Sequence, residues 1–190
     1  MQKRGQFYII AVLIIVILVG IFLTSINYSK RTTFRELYGL GEELKIESDK
    51  ILDYGVYKKL DDEGLDNLLT NFTKIYVKYK GNARDLFFVF GDENNLTIAG
   101  YVSPSDTRET VREQVILKFP GESSPAGTLD IVDSNNYTAS KYFLNSHKDI
   151  IIDVKGINYY FTLNEGQYFY FIIAQKIDEQ YFIVTNEEDR

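Results

Sequence analysis

The chain has 190 residues, a formal net charge of −6 and no cysteine. That length accommodates an anchor and one modest domain, and the acidic balance argues against nucleic acid as a general partner. The missing thiols exclude a disulfide framework, thiolate metal sites and a cysteine nucleophile, so burial alone must hold a domain together.

Residues 7–26 read FYIIAVLIIVILVGIFLTSI, without a single charge. As a helix these twenty residues would be roughly 30 Å long, the thickness of a bilayer's hydrocarbon core. Apolar side chains occupy every face, which excludes an amphipathic surface helix. Lys3 and Arg4 precede the run; Lys30, Arg31 and Arg35 follow it. The short basic head and the long polar remainder favour a single-pass anchor with the N-terminus inside and the C-terminal domain outside. The apolar run is too long for a conventional cleaved signal, and its exit, Thr24-Ser25-Ile26-Asn27-Tyr28, lacks a small-residue cleavage pattern.

Lys3-Arg4-Gly5-Gln6, directly before the apolar run, resembles the class III signal peptide of archaeal type IV pilin-like proteins. The resemblance covers about the first 25 residues. It implies a prepilin-type cut between Gly5 and Gln6, leaving the apolar helix as an anchor and then as the packed core of a surface filament. Ile10 stands at the fifth mature position, where many type IV pilins carry glutamate, and this departure bears on filament assembly more than on processing.

Thr33-Phe34-Arg35-Glu36 fits a capping box at a helix start. Beyond it Leu37, Leu44 and Ile51 recur every seven residues, flanked by Gly41, Ser48 and Gly55 at the same period. Large residues beside small ones make a seam that another backbone can approach closely. Its partner is expected to be the chain's own sheet, with the same helix of a neighbouring subunit as the alternative. Gly39 and Gly55 mark points where the helix could break. A second helical pattern carries Leu65, Leu68, Leu69 and Phe72 on one side.

From Lys74 onward the period shortens to two. Candidate strands are 74–79, 86–90, 96–102, 115–119 and 128–132, then 150–154, 158–163, 168–176 and 181–185, each bounded by turn residues. The last four follow one another so closely that they are expected to form an antiparallel meander. The fold class is therefore α+β: a transmembrane helix continuing into or followed by a juxtamembrane helix, then an antiparallel β-sandwich-like domain, with a partly closed barrel as the alternative. The expected divisions are a leader (1–5), the transmembrane helix (6–29), a juxtamembrane helical segment (30–72) and the strand-rich domain (73–190). Ile151, Phe161, Phe169, Phe171, Phe182 and Val184 are expected in the core, and 103–112 and 121–126 as loops.

Signs of catalysis are few. His147 is the sole histidine, sits in a polar stretch and has no G-x-S-x-G elbow to serve. Asp92, Glu93 and Asn94, or Asp130, Asp133 and Asn135, offer oxygens for calcium but lack the EF-hand spacing. Gly39 and Gly41 lack the strand and third glycine of a phosphate loop. Asn27, Asn71, Asn95 and Asn136 open N-x-S/T sequons, of which the last three are the better placed for a glycan. A non-enzymatic surface protein is expected, without cofactor, metal or small-molecule substrate. Its expected partners are the lipid bilayer and either copies of itself or an envelope component.

Overall fold

The computed structural model describes residues 3–186 apart from 82–83, 93, 105–112, 133–135, 145–146, 164–165, 167 and 178–179; the side chains of 3–11, 22–33, 177 and 180 also lie outside the description. Two helices and nine strands are present among the described residues. Helix α1 (Lys3–Lys58) runs without interruption through both Gly39 and Gly55, so the break considered there does not occur. Packing along the seam offsets the poor helix propensity of glycine. The helix stops at Lys59, which adopts a left-handed φ of 54°, while Leu60 N–H bonds Gly55 O at 3.1 Å and Lys59 N–H bonds Val56 O at 3.0 Å. These two bonds close the last turn as a Schellman motif.

Helix α2 (Asp62–Lys80) opens on Asp61, whose carboxylate accepts from Gly64 N at 2.9 Å. It absorbs residues 74–79, expected as a strand. Thr73, Tyr76 and Val77 are buried while Ile75 and Tyr79 are exposed, the spacing of a helix face rather than of a pleat.

The strands are β1 (Asp85–Gly91), β2 (Asn95–Tyr101), β3 (Glu113–Lys118), β4 (Gly127–Ile131), β5 (Thr138–Phe143), β6 (Asp149–Val154), β7 (Ile157–Thr162), β8 (Tyr168–Ile177) and β9 (Gln180–Thr185). They form two antiparallel sheets, one in the order β5-β2-β1-β8-β9 and the other β4-β3-β6-β7. The expected four-strand meander is therefore two hairpins: β6 pairs β7 and β8 pairs β9, but the connection between β7 and β8 passes from one sheet to the other. β5 is a strand that the sequence reading lacked.

The sheets pack face to face, and the helices cover the other side of the five-stranded sheet, giving three layers and two cores. Phe87, Val89, Leu96 and Ile98 join Val115, Leu117, Ile150, Ile152 and Phe161 between the sheets. Leu86, Phe88, Phe90, Phe169 and Phe171 join Leu37, Leu44, Leu69 and Tyr76 between sheet and helices. Of the expected core residues, Phe161, Phe169 and Phe171 are buried, and Phe182 and Val184 pack half-buried against the helix-side core. Ile151 is the exception: Ile150 and Ile152 point inward, so the pleat turns Ile151 to the other face.

Among the described residues no helix is long and apolar enough to cross a membrane. The apolar run at 7–26 lies partly outside the described side chains, which there extend from Val12 to Ile21.

Candidate functional site

The six seam residues of α1 meet on one buried face. Leu37 and Leu44 are fully buried, Ser48 is buried with its hydroxyl donating to Lys45 O at 2.9 Å, and Ile51 packs half-buried against the helix-side core. The glycines permit the close approach. A β-carbon on Gly41 would meet Val184 Cγ1 at 2.6 Å, and one on Gly55 would collide with the Leu65 side chain. The seam is thus filled by β9 and α2 of the same chain, the preferred of the two expected partners. Polar contacts fix the same face: Tyr76 Oη donates to Leu40 O at 3.3 Å, and Lys80 pairs with Glu43 at 2.9 Å.

The other half of α1 differs. The described apolar side chains Val12 to Val19 and Ile21 are 50–64% exposed, with nothing of the domain upon them. Gly5 and Gln6 lie within the α1 backbone, but their side chains, like those of Ile10 and Asn27, fall outside the described residues.

Asn71, Asn95 and Asn136 are all exposed. Asn71 lies within α2, and Asn95 is the first residue of β2 rather than part of the preceding turn. Their sequon threonines are buried: Thr73 bonds Leu69 O at 3.0 Å and Tyr137 Oη at 2.7 Å, and Thr97 donates to Asp66 at 2.6 Å. A transferase that reads the hydroxyl would reach these two sites only before the domain closes.

Asp62, Glu63, Asp66 and Asp92 line a cleft of about 300 Å³ together with Gly91, Asn95 and Lys141. The chain itself occupies two of these carboxylates, Asp66 and Asp92. Asp92 Oδ1 accepts from Asn94 N at 2.7 Å and Asn95 N at 2.8 Å, and Asp66 pairs with Lys141 at 2.6 Å. Among the described residues no group of three or more His, Asp or Glu is arranged to hold a metal. Glu93, Asp133 and Asn135 of the calcium candidates lie outside the described residues, and Asp130 accepts from Gln114 at 2.7 Å. His147 stacks on Phe119 with ring centroids 3.9 Å apart and faces Glu122 at 3.6 Å.

One charged cluster escaped the sequence reading. Lys155, in the tight β6–β7 turn, contacts Asp85 Oδ2 at the start of β1 and lies 3.9 Å from Glu113 Oε2 at the start of β3. All three side chains are largely buried, at 17%, 11% and 16% exposure. Ser103 N–H donates to Asp85 Oδ1 at 2.9 Å, and the Tyr181 ring covers the ammonium at 4.6 Å. Burial pushes the Glu113 carboxyl up; Lys155 lowers it and Asp85 raises it further. Burial alone would lower Lys155, but the hydrogen bond and charge of Asp85, with Glu113 and Tyr181, outweigh it and leave Lys155 raised. Apolar side chains, Val154, Ile157, Ile172 and Ile183 among them, line a cavity of about 50 Å³ beside the lysine. Comparison with known proteins finds no family model, curated protein or solved structure that matches this chain.

Proposed function

We propose that this protein is a membrane-anchored surface subunit of the type IV pilin-like kind, with the apolar half of α1 as its anchor and the layered β-domain held outside the membrane. The observation that carries the reading is the division of α1. One continuous helix is fastened to the domain along its C-terminal half, yet presents bare apolar side chains from Val12 to Ile21. Exposed apolar surface of that extent needs a lipid or protein covering. The Lys3-Arg4-Gly5-Gln6 leader supplies the processing site that the reading needs, and removal after Gly5 would leave the helix free to pack against copies of itself.

The filling of the seam favours a second reading. Because Leu37, Gly41 and Leu44 face the chain's own sheet, that seam of α1 is not open to a neighbour. A monomeric single-pass protein, whose β-domain binds an envelope component or partner protein, would have the same anatomy.

N-terminal sequencing and intact mass of the protein from native membranes separate the two. A mature chain beginning at Gln6 is the result expected of a pilin-like subunit. A chain that keeps Met1 to Gly5, or loses Met1 only, would overturn that reading in favour of the plain anchor. Recovery in the soluble fraction after alkaline washing would overturn both.

A further inference from the structure

We propose that Lys155 and Asp85 join spontaneously in an intramolecular isopeptide bond, with Glu113 as the proton shuttle and the Ser103 amide as the oxyanion donor. The inference is independent of how the N-terminal helix is used.

The geometry supplies each group that amide formation requires. The nucleophile and electrophile are already in contact, Lys155 Nζ against the Asp85 carboxyl. Holding two reactants together in this way removes the entropic part of a bimolecular barrier. The backbone N–H of Ser103 is hydrogen-bonded at 2.9 Å to Oδ1, the oxygen that gains negative charge when the amine attacks Cγ. A donor aimed at a developing oxyanion acts most strongly in a site shielded from water, as this one is. Glu113 Oε2 sits 3.9 Å from the same nitrogen, close enough to carry a proton from it after a small side-chain movement. Burial raises the Glu113 carboxyl, while the hydrogen bond and charge of Asp85, with Glu113, hold the Lys155 proton more tightly, so freeing the amine is the uphill part of the step.

The step balances without an oxidant or a co-reactant. One proton of the Lys155 ammonium passes to Asp85 Oδ2, giving a neutral amine beside a carboxylic acid. The amine attacks Cγ and the electron pair of the C–Oδ1 double bond moves to Oδ1. A second nitrogen proton travels through Glu113 to the Oδ2 hydroxyl. The C–Oδ2 bond then breaks, water leaves, Oδ1 regains its double bond and one hydrogen remains on the amide nitrogen. Glu113 ends as it began. A buried pair of full charges, costly to desolvate, is replaced by a neutral amide, and the apolar surroundings disfavour the return of water. The product would tie the five-stranded sheet, through β1, to the four-stranded sheet, through the β6–β7 turn.

Mass spectrometry of the full-length wild-type protein in detergent tests this directly. The expected result is a chain one water lighter than its own sequence mass, yielding on proteolysis a branched peptide that contains both Asp85 and Lys155. A full-mass chain, or a lighter one whose Asp85 and Lys155 peptides remain separate, would overturn the bond. Glu113→Gln, close in shape, and Lys155→Arg, which keeps the charge, should both return the mass of the unlinked chain. If Glu113→Gln still loses water at wild-type yield, the role of Glu113 as shuttle is refuted although the bond stands.

Discussion

Strands β1 and β6, each inside one of the two sheets, carry different burial patterns. Every residue of β1 is buried, from Asp85 to Gly91, because helices cover one face of its sheet and the second sheet covers the other. In the four-stranded sheet β6 alternates, with Ile150, Ile152 and Val154 inward and its other residues toward solvent. The contrast is that between a strand inside a three-layer stack and a strand at its surface. The helix layer is thus a structural half of the domain, and its removal would strip one face of the central sheet.

Phe88→Ala removes a fully buried ring from the helix-side core and is expected to cost about 3–5 kcal/mol in denaturant unfolding. Phe87→Ala, on the opposite face of the same strand, should cost a similar amount, whereas Tyr160→Thr on β7, 59% exposed, should stay within about 0.5 kcal/mol. A small loss for Phe88→Ala alone would mean that the helices do not form a true second core.

A finer probe is the contact of α1 with the sheet edge. Gly41→Leu drives a side chain into Val184 and should destabilise by about 1–3 kcal/mol; adding Val184→Ala should recover part of that loss. Strict additivity of the two changes would place the helix elsewhere.

The smallest expected effect concerns the phenols between the layers. Burial raises Tyr76 and Tyr168, with nearby Glu43 and Asp92 adding to the respective shifts. A folded-state value raised above the unfolded one contributes stability that is intact below an unfolded value of about 10 and is lost as pH rises through the folded value. Thermal stability should therefore fall in strongly alkaline solution. Tyr76→Phe should blunt that decline while costing about 1 kcal/mol at neutral pH for its bond to Leu40 O.

Much of the strand content was legible because β1, β2, β3, β6, β7 and β8 carry apolar runs or alternations between turn residues. β5 was not. Thr-Ala-Ser-Lys-Tyr-Phe sits at a sheet edge, has no fully buried residue and so presents no core stripe to read. Residues 74–79 misled for the opposite reason, since a short run of Ile, Tyr and Val satisfies both periods until its neighbours Leu69 and Thr73 are counted in. Leu37, Gly41, Leu44 and Ser48 of the α1 seam stood out because seven-residue spacing is a local signal; Leu40, buried beside them, falls off that spacing and did not. The Lys155 cluster was not legible, as its members come together from β1, β3 and the β6–β7 turn. The one available hint was a charge at the boundary of each of three apolar strands.

The continuity of α1 has a rotational consequence. An α-helix advances about 1.5 Å and turns about 100° per residue, so an uninterrupted rod ties the facing of the domain to the residue count of the stretch below it. With helix from Lys3 to Lys58 and the seam locking Leu37 onward to the sheet, no hinge absorbs a change in length. One residue inserted between Ile26 and Phe34 would swing the acidic cleft and the exposed Asn71 and Asn95 by more than a quarter turn around the helix axis. Which surface the domain turns to a given side of the apolar segment is therefore set by the phase of the helix, and is as sensitive to a single insertion or deletion there as a reading frame is.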